Sequence, residues 1–201
     1  MLVESLLLIT ALCSQCGPTV APSTTQAIIR VESGGNPYAI GDNTLKKSFA
    51  PKTKQAAIHL AAYLLAQGHN LDMGLMQVNS CHLKTMKFTL DEIFEPCRNI
   101  TIGTTILADF YRRNDTGEDK NLVLFKALSA YNTGSAWRGP GYVNKILKAA
   151  GAPYRVAVSN PPPTKGAKGT QKKKPGERLF TADGAMLFFP ATNRARKING
   201  L

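Results

Sequence analysis

Apolar residues in the first three quarters of the chain recur at intervals of three and four, the period of amphipathic α-helices. The clearest run extends from Thr53, a suitable N-cap, to Gln67, and Gly68 can end it. Its apolar stripe comprises Ala57, Ile58, Ala61, Ala62, Leu64 and Leu65. We find no strongly alternating pair of strands, although a small β-hairpin near residues 40–45 fits the pattern. The sequence therefore predicts an all-α domain.

Further helices are predicted from caps and apolar faces. Ser23 and Gln26 have the spacing of a capping box before the apolar residues Ile28, Ile29 and Val31. A second capping box runs from Thr89 to Glu92. Later helices are expected to begin at Asn99, at Asp119 or Asn121, and at Tyr142.

The composition changes at Ser159. Residues 159–178 are rich in Pro, Lys, Gly and Thr and offer no apolar face, so we predict a disordered basic linker. Residues 179–201 form a polar tail with one apolar patch, Met186–Pro190, which is either unfolded or a peptide that docks onto a partner. Residues 1–158 are left as a single globular domain.

The net charge of the chain is +12, and nine basic against two acidic residues lie from Ser159 onward. Such a charge attracts anionic polymers, including nucleic acid, anionic lipid and the acidic components of a cell envelope. We do not expect nucleic-acid binding, because Lys172–Lys174 is charge without stacking aromatics or a groove-reading helix.

The first apolar segment, Leu6–Leu12, is preceded by Glu4 and by no basic residue, unlike the start of a secretory signal. It is too short to span a bilayer, so no transmembrane segment is expected. We therefore interpret it as the first helix of the domain, with Val3, Leu6, Leu7 and Leu8 packed inward. A secretory signal is the alternative.

Glu32 is the leading candidate for chemistry. It stands at the carboxyl end of the predicted helix that Ser23 caps, just before Gly34 and Gly35. The negative end of a helix dipole and desolvation by apolar neighbours both raise the pKa of a carboxyl group. Such an acid can keep its proton near neutral pH and donate it, as a general acid must. Taken alone, the residue is better interpreted as a solvated glutamate at a helix end.

Two further segments support the reactive interpretation: Gly74-Leu75-Met76-Gln77 and Ala130-Tyr131-Asn132-Thr133-Gly134. Together with Glu32-Ser33 and in this order, they resemble the three motifs of lysozyme-like lytic transglycosylases. The context from Val31 to Gly41 is similar to one branch, the peptidoglycan-cleaving transglycosylases attached to type IV secretion and conjugation machines. The resemblance covers about residues 14–150 and implies a lysozyme-like fold.

The resemblance also implies roles for individual residues. Glu32 would be the catalytic acid, and Ser33 would orient its carboxyl group or merely end the helix. The implied substrate-binding residues are Ser33, Gly74, Met76, Gln77, Tyr131 and Asn132. Gly74 would let backbone approach the glycan, Met76 would form an apolar wall beside Glu32, and Gln77 would bind sugar hydroxyl or acetamido groups.

The implied activity is cleavage of the β-1,4 bond between N-acetylmuramic acid and N-acetylglucosamine, with a 1,6-anhydro product. The implied partners are peptidoglycan strands and secretion-system envelope proteins, the latter through the tail, and the implied location is the periplasm or cell envelope. One alternative is a hydrolytic lysozyme in which Asp42 or Asp72 helps water to attack. Another is a non-catalytic wall-binding assembly module.

Four cysteines allow three pairings of two disulfides. Cysteines at the positions of Cys16 and Cys97 often occur in the secretion-associated branch with two more, at positions that look like Phe110 and Ala130 here. A Cys16–Cys97 bridge and buried thiols both remain open.

No cofactor and no metal are expected, because His59, His69 and His82 lack the spacing of a zinc site. The adjacent Cys81 and His82 are assigned a structural role rather than a catalytic dyad. Trp137, with Arg138, either lines a glycan subsite by stacking or simply packs.

Overall fold

The computed structural model describes residues 2–152, with side chains described from Ile9 onward. The helices are α1 (Leu2–Cys16), α2 (Pro22–Glu32), α3 (Lys54–Ala66), α4 (Cys81–Met86), α5 (Leu90–Ile93), α6 (Pro96–Asn114), α7 (Lys120–Thr133) and α8 (Pro140–Ala149). The strands are β1 (Ile40–Asp42), β2 (Lys47–Phe49), β3 (Leu71–Met73) and β4 (Val78–Asn79). This mostly helical domain with a small sheet confirms the predicted fold class. The linker and tail predicted over 159–201 lie outside the described residues.

The four strands form one antiparallel sheet in the order β2-β1-β3-β4. The predicted hairpin is its β1–β2 half, and the pairing of β3 with β1 and β4 was not predicted. Successive residues of a strand point to opposite faces, so buried Leu71 and Met73 place Asp72 on the other, open face. The Asp72 carboxylate therefore lies on the face of the sheet that is turned toward Glu32.

Helix α6 forms the centre of the domain and packs against α1, α5 and α7. Its buried side includes Ile100 and Leu107 and carries Gly103, where an added Cβ would lie 2.6 Å from the sulfur of Met76. The absence of a side chain at Gly103 therefore lets the loop between β3 and β4 pack directly onto α6.

Several helix starts differ from the sequence prediction. The Ser23–Gln26 capping box is wrong: α2 begins at Pro22 after Ala21, without a side-chain cap, and the Gln26 amide instead donates to Thr10. Proline suits the first turn because the N–H it lacks would have no helical partner there.

Prolines also move two later starts. Helix α6 begins at Pro96 with Glu95 as its cap rather than at Asn99, and α8 begins at Pro140 rather than Tyr142. The caps at Thr53 and Asp119 and the Thr89–Glu92 capping box are confirmed.

A disulfide joins Cys16 to Cys97, which resolves the alternative left open by the sequence. It ties the end of α1 to the start of α6 across 81 residues of chain. Cys13 is a buried thiol, and burial raises its pKa to about 11, whereas Cys81 is exposed. Helix α1 packs against α2 and α6, and the side chains of Val3, Leu6, Leu7 and Leu8, predicted to pack inward, lie outside the described ones. No helix in the described part combines the length and apolar character needed to cross a bilayer.

Candidate active site

An open cleft of about 460 Å³ lies between α2, the sheet, and the helices α6 and α7. Polar and apolar side chains both contribute to its walls. Its lining comprises Glu32, Asn43, Asp72, Gln77, Val78, Asn79, Cys81, His82, Ile106, Phe110 and residues 130–134. Four of the predicted site residues, Glu32, Gln77, Tyr131 and Asn132, therefore lie together in this cleft.

Glu32 is the last residue of α2, as the sequence predicted. The chain leaves the helix through Ser33 and then through Gly34 and Gly35, both with positive φ (62° and 87°). Glycine adopts this left-handed conformation without steric cost, so the helix can stop directly after the glutamate.

Burial raises the pKa of Glu32 to about 7, because the cleft walls desolvate the carboxylate. A hydrogen bond from Tyr142 opposes this rise, the negative charge of Asp72 adds to it, and the positive charge of Lys145 opposes it. Near neutral pH, the carboxyl group is therefore poised between its protonated and ionised forms, as general acid and base catalysis requires.

Tyr142 is a site residue that the sequence analysis missed. Its hydroxyl donates a 2.6 Å hydrogen bond to Oε1 of Glu32 from the first turn of α8. Burial raises the pKa of Tyr142, so the phenol remains a donor at any physiological pH. Ile146, four residues further on and buried, shares its helix face and indicates an inward side chain, but nothing in the sequence identified its acceptor.

The loop over residues 74–77 is held by three side chains from three different elements. The hydroxyl of Ser33 donates to the Leu75 carbonyl (2.8 Å), and that of Tyr131 donates to the Met76 carbonyl (2.8 Å). Asn99 of α6 accepts a 2.8 Å bond from the Met76 N–H. The three sequence motifs thus meet through backbone atoms of this loop.

The sequence predicts only a helix start at Asn99. In the structure, its buried side chain holds the loop over residues 74–77 in place through hydrogen bonds. Its amide nitrogen donates to the carbonyls of Met73 (3.0 Å) and Ile93 (2.8 Å). An added Cβ at Gly74, where φ is +79°, would lie 2.1 Å from that nitrogen. Gly74 therefore lets Asn99 approach the loop, and it is buried rather than facing the cleft.

Two other predicted side chains also point away from the carboxyl group. The Ser33 hydroxyl bonds to Leu75 and accepts from the Gly35 N–H (3.2 Å), so it braces the loop and does not hold Glu32. Met76 is fully buried and packs on Gly103 rather than lining the cleft. Their contribution to the site is to position the loop, because its backbone amides and carbonyls are what they fix.

Gln77 lines the cleft in a left-handed backbone conformation, with φ of 47°. Its side-chain nitrogen donates to the carbonyls of Ala39 (3.1 Å) and Gly74 (2.9 Å). The Gln77 amide is thereby oriented by the protein itself, which leaves its carbonyl oxygen as the group that can meet a ligand.

Tyr131 and Asn132 lie in the last turn of α7, which Gly134 ends with φ of 70°. The motif is thus the end of a helix rather than a separate loop. Burial raises the pKa of Tyr131 well above its usual value, and the charge of Glu32 adds to this effect. Asn132 is exposed in the cleft and is free to meet a ligand.

The two aspartates named for the hydrolytic alternative have different environments. Asp72 lines the cleft and accepts bonds from Asn43 and Asn79, both at 2.7 Å. Asp42 is buried and bonded to His69 and to the backbone of Thr44 and Leu45, so it stabilises the turn after β1. Of these two aspartates, Asp72 is the one whose carboxylate can contact a ligand in the cleft.

The described residues offer no evident set of ligands for a metal ion. Within residues 2–152 no group of three or more His, Cys, Asp or Glu side chains is arranged to hold an ion. Cys81 and His82 lie at the rim of the cleft, and burial raises the pKa of the thiol and lowers that of the imidazole. Both shifts favour the neutral forms, which is the opposite of a thiolate–imidazolium pair.

The chain belongs to the family described as the transglycosylase SLT domain, whose model matches residues 12–151. This match includes the cleft and every predicted site residue. Among curated relatives, protein virB1 of Agrobacterium fabrum is 38% identical over 138 residues. Type IV secretion system protein virB1 of Brucella suis biovar 1 is 39% identical over 149 residues.

These matches cover 68% and 69% of this chain, and 56% and 62% of the Agrobacterium and Brucella proteins. The chain thus spans less than two thirds of the length of these relatives. None of the solved structures compared with the chain matches it.

Proposed function

We propose that this chain is a peptidoglycan lytic transglycosylase with Glu32 as its single catalytic acid and base. The observation that carries the proposal is the Glu32 carboxyl group, which has a pKa of about 7 and opens onto a cleft. The family match and the order of the three motifs support the same assignment.

In the proposed reaction, protonated Glu32 donates to the oxygen of the β-1,4 bond, and that bond to the muramic acid carbon breaks. The sugar's own acetamido group stabilises the resulting positive centre. Glu32, now ionised, takes the proton of the sugar's 6-hydroxyl, whose oxygen then bonds to the same carbon. The product is a 1,6-anhydro ring, and Glu32 regains its proton.

This route needs no second carboxylate, because the nucleophile is tethered to the reacting sugar and gains an effective-molarity advantage. In this chain, Tyr142 would hold the ionised carboxylate after the first step through its 2.6 Å bond. Gln77 and Asn132 would bind sugar hydroxyl or acetamido groups, and the braced backbone of residues 74–77 would position the strand.

The test is digestion of purified peptidoglycan by wild type and by Glu32→Gln, with mass analysis of the released muropeptides. We expect anhydro products from wild type and none from the variant. Glu92→Gln is the matched control, because glutamine preserves the capping box at this half-buried position, which does not line the cleft. Binding without cleavage by wild type would favour a non-catalytic wall-binding module.

A hydrolytic lysozyme is the second candidate, and the position of Asp72 in the same cleft favours it. A second carboxylate could activate water or stabilise the positive centre. The products differ by one water, which hydrolysis adds and the anhydro reaction does not. Mass analysis of the same digests therefore distinguishes the two.

We further propose that the enzyme acts in the periplasm or cell envelope and opens the wall locally for a type IV secretion or conjugation apparatus. The printed name of the Brucella relative supports this setting, and the net charge of +12 suits an acidic wall. The tail over 159–201 would contact envelope proteins of the apparatus. Cross-linking from a photoreactive residue at position 188 in cells with and without the apparatus tests this contact.

A further inference from the structure

Trp137 is exposed although it is a large aromatic side chain. It lies in the segment between α7 and α8, and 52% of its surface is accessible. The ring is therefore not part of the buried core. An exposed aromatic face can serve as a binding surface for a ligand or a partner.

The indole ring is fixed by a buried cation. Nζ of Lys126 lies 4.9 Å from the ring centroid, and Lys126 itself is only 8% exposed. Such a cation–π contact holds one face of the ring against the protein. The remaining face is left for a ligand.

The backbone on either side of Trp137 is also held. The Ser129 hydroxyl donates to the Ser135 carbonyl (2.7 Å) and accepts from the Gly139 N–H (2.9 Å). Thr133 donates to the same Ser135 carbonyl at 2.9 Å. The ring is thus preorganised, so a ligand that stacks on it loses little of its binding energy to ordering the loop.

Trp137 lies close in the chain to residues that line the active-site cleft. Lys126, Ala130 and Thr133 share one face of α7, because residues three and four apart are neighbours on a helix. Ala130 and Thr133 line the cleft. Gly134 also lines the cleft and stands three residues before Trp137, so the Cα atoms of these two residues lie at most about 11 Å apart.

The charge of Lys126 is already compensated. Its ammonium group pairs with Glu118, and this hydrogen bond lowers the pKa of the glutamate, which is therefore ionised at neutral pH. The Trp137 ring consequently presents an apolar face with no uncompensated cation beneath it. A neutral sugar ring can stack on this face without meeting an unpaired charge beneath it.

We propose that Trp137 is the stacking platform of an outer glycan subsite, which binds a neutral N-acetylated sugar ring beyond those held at Glu32. The inference rests on the proposed function, since it requires a polymeric glycan in the cleft. It assigns Trp137 to strand binding and not to the chemical step.

Trp137 is the only tryptophan of the chain, so its fluorescence reports on the platform directly. The full chain carrying Glu32→Gln is titrated with a chitin hexasaccharide, followed by fluorescence and by calorimetry. We expect a blue shift of the emission that saturates with the calorimetric isotherm. Trp137→Ala should weaken binding by roughly three- to tenfold, and Trp137→Phe should recover most of the affinity.

Tyr63→Ala is the matched control, because Tyr63 is 64% exposed on α3 and does not line the cleft. It should bind as the parent does. Unchanged emission at saturation, or equal affinity of the Trp137→Ala variant, would overturn the platform. Peptidoglycan digestion by the wild-type chain separates the two proposals: no anhydro product contradicts the proposed function, whereas anhydro product with an indifferent Trp137 contradicts only the platform.

Discussion

Tyr142 donates a 2.6 Å hydrogen bond to Oε1 of Glu32 from a helix 110 residues further along the chain. The bond stabilises the ionised carboxylate, while burial stabilises the protonated form, and the balance leaves the pKa of Glu32 at about 7. A general acid that must become a base within one reaction needs this balance.

Replacing Tyr142 by Phe should raise the pKa of Glu32 further, because the carboxylate loses its donor. A catalytic acid must be protonated in the free enzyme, so kcat/KM falls as pH rises through its pKa. We expect this falling limb to move to higher pH by roughly one unit in Tyr142→Phe.

The pH profile of kcat/KM on purified peptidoglycan checks this shift. Tyr63→Phe, which removes an exposed hydroxyl, should leave the profile in place. A lower rate for Tyr142→Phe with an unmoved limb would assign Tyr142 to packing alone.

Replacing Asp72 by Asn should shift the fall of kcat/KM with rising pH to lower pH, the direction opposite to that in Tyr142→Phe. The negative charge of Asp72 raises the pKa of Glu32, so its removal lowers that pKa, and the effect is smaller than that of Tyr142. The variant should still release anhydro products. Loss of all cleavage in Asp72→Asn, with activity kept in the surface control Asp91→Asn, would instead support the hydrolytic mechanism.

Gly74 and Gly34 form a matched pair for testing the loop. Both have positive φ, but an added Cβ meets Asn99 at 2.1 Å in Gly74 and nothing within 4 Å in Gly34. Gly34→Ala should cost about 1–2 kcal/mol of unfolding free energy from backbone strain alone. Gly74→Ala should cost at least about 2 kcal/mol more, since Asn99 must also give up buried hydrogen bonds.

Urea unfolding of both variants measures this difference. Equal losses of unfolding free energy would contradict the close packing of Asn99 against Gly74.

The stability of the domain should depend on the ionisation of Glu32. Its pKa is raised on folding from 4.5 to about 7, so its stabilising contribution is full below pH about 4.5 and is lost as pH rises through about 7. Glu32→Gln removes this dependence, and its stability relative to wild type should rise by up to about 3 kcal/mol between pH 4 and pH 8.

Glu92→Gln provides a control of opposite sign, because hydrogen bonds from Thr89 and Arg98 lower the pKa of Glu92. That variant should lose stability relative to wild type as pH rises. Chemical unfolding at several pH values checks both. A pH-independent difference between Glu32→Gln and wild type would contradict the raised pKa.

The helices were largely predictable because their signals are local. Thr53, the Thr89–Glu92 box and Asp119 cap helices through contacts within three residues, and all three are confirmed. The starts at Pro22 and Pro96 were misplaced because a polar residue further on offered an apparent cap. The fold class followed from the helical pattern, whereas the pairing of β3 with β1 joins short segments that carry no strand pattern.

The candidate site was predictable only where its residues fall in motifs. Glu32, Gln77, Tyr131 and Asn132 lie in the cleft as expected from their motifs. The partner of Glu32 was not found, because its bond to Tyr142 depends on how α8 packs against α2. Asn99 was missed for a similar reason: its three bonds reach residues distant in sequence or in another helix, and a buried asparagine leaves no local signature.

The most direct test of the central claim is the titration of the Glu32 carboxyl group by carbon-detected NMR, with Glu32→Gln used to assign the resonance. The desolvated cleft predicts a midpoint near pH 7 in the wild-type chain. A midpoint near the ordinary glutamate value of about 4.3 would show that Glu32 is ionised at neutral pH and contradict its assignment as the proton donor.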